Sequence, residues 1–97
     1  MNKKFLDNLN TAVFTTKYIL EQQSPVLYVY HYKDDGAWQF SGNEDCHDDD
    51  FRVISLEEMI NIDKSILELA DMPLGFYAKR ENISSSWKIE CFNEDLS

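Results

Sequence analysis

The residues best equipped for chemistry gather in one short run, Glu44-Asp45-Cys46-His47-Asp48-Asp49-Asp50. Dense carboxylates of this kind suit a hard cation, which takes about six to eight oxygen ligands when it is calcium. The pattern of a calcium loop is absent, because no glycine stands at the sixth position after a starting acid and no glutamate closes the loop at the right distance. Three successive aspartates on an extended backbone also diverge, so they do not converge on one ion. Cys46 and His47 side by side do not make a zinc centre, which needs about four ligands in paired short spacings, and the chain has only two Cys and two His. His31 lies within an apolar run and reads as a packing residue. The loop therefore reads as solvated, with no metal and no cofactor expected.

Catalytic patterns are equally thin. Carboxylates surround Cys46 and disfavour its thiolate, the wrong setting for a nucleophile. Ser84-Ser85-Ser86 has turn composition without the flanking glycines of a nucleophile elbow. Gly36, Gly42 and Gly75 are too scattered to cradle a phosphate. The residues point away from an enzyme.

Size and charge narrow the field further. A chain of 97 residues is one domain, residues 1–97 with a core over about 12–92 and frayed ends. Its formal net charge of −9 opposes binding to nucleic acid or to an anionic membrane surface, since no Lys/Arg cluster exists to displace counterions. A basic protein partner suits that charge. The amino-terminal stretch is interrupted by Asp7, Asn8 and Asn10, so it does not read as a signal peptide, and no apolar window is long enough for a membrane span. A cytoplasmic location is expected, with Cys46 and Cys91 reduced.

The elements that position these groups follow from periodicity. Residues 12–16 (Ala-Val-Phe-Thr-Thr) favour a strand, and residues 17–21 a single helical turn. Residues 26–32 form the clearest strand, with Val26, Tyr28, Tyr30 and Tyr32 on one side and Leu27, Val29 and His31 on the other. Both sides being apolar or amphipathic, it is expected to be central and covered on each face. Asp35-Gly36 marks a tight turn into residues 37–41, where Trp38 and Phe40 share a face, completing an antiparallel hairpin. Residues 51–54 are a short strand. Ser55-Leu56-Glu57-Glu58 is a capping box opening a helix, and Asp63 caps a second helical segment through Ala70, stopped by Pro73 and Gly75. Residues 76–80 and 87–91 are closing strands, the second with Trp87, Ile89 and Cys91 expected inward. The expected fold is α+β: a single antiparallel sheet of about five strands with two short consecutive helices packed on it.

Most aromatic side chains belong in the core of so small a sheet, but one or two Tyr or Trp left exposed beside the acidic loop would serve as interface anchors. Trp38 with Glu44, Asp45, Asp48, Asp49 and Asp50 is the expected partner-binding set.

The order of motifs resembles a known family. Phe14-Thr15-Thr16-Lys17, Leu27-Tyr28-Val29-Tyr30 and the run from Gly36-Ala37-Trp38 to Asn43-Glu44-Asp45 carry the first half. Ile54-Ser55-Leu56, Asp63-Lys64-Ser65-Ile66, Leu69, Met72-Pro73-Leu74-Gly75-Phe76 and Arg80-Glu81 carry the second. Together they look like the immunity protein 33 family of small bacterial domains, also filed as a domain of unknown function. Asn43 stands where members usually have Asp, and the spacing between Phe40 and Gly42 is tighter than is typical. The resemblance implies a module that binds and neutralises a cognate bacterial toxin. An acidic face suits that role, since it can cover a positively charged toxin surface. Separately, a domain this short can complete its burial by pairing sheet edges, so a monomer or a homodimer is expected. The competing reading is a small-ligand or divalent-metal accessory domain using His47 and the same carboxylates.

Overall fold

The computed structural model describes residues 4–91. Its chain runs β1 (Ala12–Thr16), α1 (Lys17–Gln22), β2 (Tyr28–His31), β3 (Trp38–Ser41), a 3-10 turn (Asp48–Asp50), β4 (Phe51–Ser55), α2 (Leu56–Ile62), a 3-10 helix (Lys64–Leu69), β5 (Phe76–Lys79) and β6 (Lys88–Cys91). The strands form one sheet in the order β4-β1-β3-β2-β5-β6. The α+β class is as expected. The sheet is mixed, however, with six strands, because β1 and β3 run parallel with Phe14 opposite Gln39. The hairpin β2–β3 docks on β1 through its second strand, and a hairpin docked that way presents β3 in the direction of β1.

Local chemistry explains the element ends. Thr16 ends β1 and caps α1, its Oγ1 accepting the Ile19 N–H at 3.3 Å. The capping box is present: Ser55 Oγ accepts the Glu58 N–H at 3.1 Å, and Glu58 Oε1 accepts the Ser55 N–H at 3.2 Å. Asp63 caps the next segment by accepting the Ser65 N–H at 2.9 Å, but that segment winds as a 3-10 helix. In the β2–β3 turn Gly36 takes φ +73, the left-handed region where a side chain is strained. Its N–H donates to Tyr32 O at 3.0 Å, while Asp35 Oδ1 accepts the Ala37 N–H at 3.0 Å.

One face of the sheet makes the core. Val13, Val29, Trp38, Phe40 and Ala78 meet Leu56 and Met59 of α2, Ile66 and Leu69 of the 3-10 helix, and Met72. Ile19 and Val26 close the end beside α1. Arg80 clamps this layer from below. Its Nε donates to Val26 O at 3.0 Å, Nη1 to Ser65 Oγ at 2.9 Å and Nη2 to Asp63 Oδ2 at 2.8 Å, and Trp87 lies against the guanidinium at 4.1 Å.

Three sequence expectations change here. Trp38 is 1% exposed and sits in the core, stacked on His31 at 3.8 Å. It packs under the helices and is not available as a surface anchor. Strand β2 is covered by helices on the Val29 side alone, and Tyr28 and Tyr30 on the other side stay half-buried. Strand β6 is exposed throughout: Ile89 is 47% exposed and Cys91 is exposed, because the strand lies at the sheet edge, past the helices. Trp87 precedes β6 and is half-buried on Arg80.

Among the described residues, no helix is long and apolar enough to cross a membrane.

Candidate functional site

Strand alternation that sends Val13, Val29, Trp38 and Ala78 into the core sends Phe14, Gln39, Tyr30 and Tyr77 to the opposite face, all in one cross-strand row. Val53 extends the row on β4 and Glu90 on β6. Helical residues Leu56, Met59, Ile66 and Leu69 of the core pack against the other face. Phe14 is 40% exposed and Val53 60%. Tyr30 stacks on Tyr32 at 5.9 Å and on Tyr77 at 5.5 Å, so the tyrosines form a continuous aromatic floor. Burial, then the neighbouring phenols of Tyr28 and Tyr77, raise the Tyr30 pKa and keep it a neutral phenol.

The chain from Gly42 to Asp50 returns from the end of β3 to the start of β4 and borders this floor. Two hollows result. One, of about 450 Å³, is lined by aromatic Phe14, Tyr32 and Phe51 and by acidic Asp34, Asp35 and Asp48. The other, of about 390 Å³, lies over Tyr28, Tyr30 and Tyr32 with Glu44 and Cys46 at its side. Both include Tyr32, Gln39 and Phe51, so they read as one trough. Neither lining contains a lysine or an arginine.

The structure divides the expected acidic set. Glu44 and Asp48 border the trough. Asp45 and Asp49 are exposed but line neither hollow. Asp50 is 5% exposed and is drawn inward by Lys17, whose Nζ lies 3.1 Å from its Oδ1, while its Oδ2 accepts the His47 N–H at 2.9 Å. That His47 hydrogen bond first, then Lys17, lowers the Asp50 pKa. Asp50 and Trp38 thus leave the docking set for structural reasons, one to an ion pair and the other to the core.

Glu44 is half-buried, and its Oε1 is shut off from solvent without a hydrogen-bond partner. Burial, then the carboxylates of Asp50, Glu44 and Asp45, push the Cys46 thiol above its ordinary pKa. The thiol at the edge of the trough is therefore a poor nucleophile at neutral pH. His31, on the core face, has its Nδ1 2.8 Å from Met72 O. No group of three or more His, Cys, Asp or Glu among the described residues is placed to hold a metal ion.

A larger groove of about 820 Å³ opens on the other side of the sheet, between Ile19, Pro25, Val26, Ile62 and Ile83. Its charged groups, Arg80 and Asp63, already satisfy each other, so it presents no unmatched charge to a ligand. The trough does, and it is the better candidate.

Sequence reasoning did not single out Phe14, Phe51, Asp34 and Asp35 as site residues. The i, i+2 alternation of Tyr28, Tyr30 and Tyr32 held the usable signal, since it puts three phenols on one face. No family model matches this chain, and no characterised protein or solved structure matches it either.

Proposed function

We propose that this chain is a non-enzymatic protein-binding module that captures a positively charged protein surface on its tyrosine face. The observation that carries the reading is the trough itself: aromatic side chains on the sheet face opposite the core, bordered by Asp34, Asp35, Asp48 and Glu44 with no basic residue in the lining. Aromatic anchors ringed by charge are the common composition of energetic interface centres. The acidic border speeds encounter with a basic partner and selects against acidic ones. The sequence resemblance to the immunity protein 33 family supports a more specific version, in which the partner is a cognate toxin and binding neutralises it.

The metal-binding alternative requires convergent ligands around His47, and the described residues offer it no such group. The docking reading is tested by co-expression with the products of neighbouring genes. A stable complex is expected whose association slows with added salt and slows further when Asp34, Asp35 and Asp48 are changed to Asn. A complex indifferent to both salt and these changes would remove the acidic face from the interaction.

A further inference from the structure

The trough has a chemical preference that its general acidity does not capture. The first hollow is lined by three acidic residues, Asp34, Asp35 and Asp48, together with Phe14, Tyr32 and Phe51. Negative charge and aromatic rings in one lining supply the two attractions that recognise organic cations. The neighbouring hollow continues the same floor past Gln39 to Glu44. Glu44 adds a further acidic residue to the border on that side.

Resting on the binding-module reading above, we infer that the trough holds an extended basic segment of the partner, with an arginine side chain seated over Tyr32 and Phe51 between Asp34, Asp35 and Asp48. Arginine fits better than lysine. Its planar, weakly hydrated guanidinium stacks on aromatic faces and bonds two carboxylates at once, whereas an ammonium keeps its water. Single-stranded nucleic acid would also stack on such a floor, but its phosphates need basic residues, and the lining has none.

The test uses N-acetyl-arginine amide as the probe and follows two-dimensional NMR of the whole chain. Saturable shifts are expected at Phe14, Tyr32, Asp34, Asp35, Asp48 and Phe51, with half-saturation on the order of millimolar concentrations, as a single cation contact supplies. N-acetyl-lysine amide should bind several-fold more weakly, and N-acetyl-leucine amide should give no saturable shift. In the triple variant D34N/D35N/D48N, whose spectrum also reports that it remains folded, the arginine affinity should fall by about ten-fold. Changing the exposed acids Glu57 and Glu81 to Gln should leave it unaltered. Equal binding of the arginine and leucine probes overturns the inference, as does an unaffected triple variant or a response to uridine monophosphate in place of arginine. If arginine fails while a neighbouring gene product still binds through this face in a salt-dependent way, the arginine seat alone is lost. If both fail, the docking reading falls with it.

Discussion

Lys17 and Asp50 meet at 3.1 Å across the junction between the first strand–helix unit and the end of the acidic loop. The contact withdraws Asp50 from the surface and anchors the loop where it enters β4. Arg52 secures the same corner, its Nη1 donating to the carbonyls of Asp49 at 2.8 Å and Phe51 at 3.0 Å. The border of the trough is therefore held from its inner end.

This pair sets a pH window for stability. Asp50 has its pKa lowered by the His47 N–H and by Lys17. A carboxylate with a depressed folded pKa contributes fully above its unfolded value, about 3.9, and loses the contribution as pH falls through the folded value. Lys17 has its pKa raised, first through its hydrogen bond to Asp50. Its contribution is complete below about 10.4 and is lost as pH rises through the folded value. Thermal melts of Asp50→Asn against wild type should show a gap across the neutral range that narrows at both extremes. A gap independent of pH would mean that the ion pair contributes nothing.

Arg80 should be among the most sensitive positions. Its side chain is 2% exposed and serves Val26, Ser65 and Asp63 at once. Arg80→Ala leaves those acceptors unpaired and is expected to destabilise by about 2–4 kcal/mol. Arg80→Lys should recover only part of this, because one ammonium cannot reproduce the three-way fork. Urea unfolding of both variants checks the order.

Gly42 carries a steric requirement. A Cβ there would lie 2.9 Å from the Pro25 carbonyl oxygen and 2.8 Å from Glu44 Oε1. Glu44 can swing away, but the Pro25 backbone cannot. Gly42→Ala should cost about 1–3 kcal/mol and should perturb the NMR signals of Glu44 as well as those of residues 25–27.

Trp38 and Phe14 separate packing from docking. Trp38 is buried among Phe5, His31 and Phe40, so Trp38→Ala should destabilise by about 3–5 kcal/mol. Phe14 faces outward on the neighbouring strand, and Phe14→Ser should cost about 1 kcal/mol or less while weakening the partner complex by at least about ten-fold. Equal losses of stability in the two variants would contradict the assignment of faces.

Features set by near neighbours in the chain were readable from the residues. Ser55 and Glu58 announced the cap of α2, Asp35-Gly36 the turn, and the tyrosine alternation the two sides of β2. The phase of Trp38 with Phe40 was also readable, but the side on which the helices would settle was not. That depends on contacts such as Val13 with Ile54, made between residues about forty apart. The parallel pairing of β1 with β3 was hidden for the same reason, since either edge of the hairpin could have met β1. Strand β6 misled because strict alternation reports a two-sided strand without saying how far the helical layer extends. Asp50 could not be told from Asp48 and Asp49 until Lys17 was placed beside it.

The sheet order has a consequence for how the molecule assembles. Strand β1 is made early but lies between β3 and β4, so both of its neighbours emerge from the ribosome after it. The β2–β3 hairpin closes locally and cheaply, whereas seating β1 requires loops to close from residue 16 to 38 and from 16 to 51. Nucleation should therefore begin in the hairpin, with β1 joining next across the shorter gap, while β5, whose pairing with β2 closes from residue 31 to 76, and β4 join later.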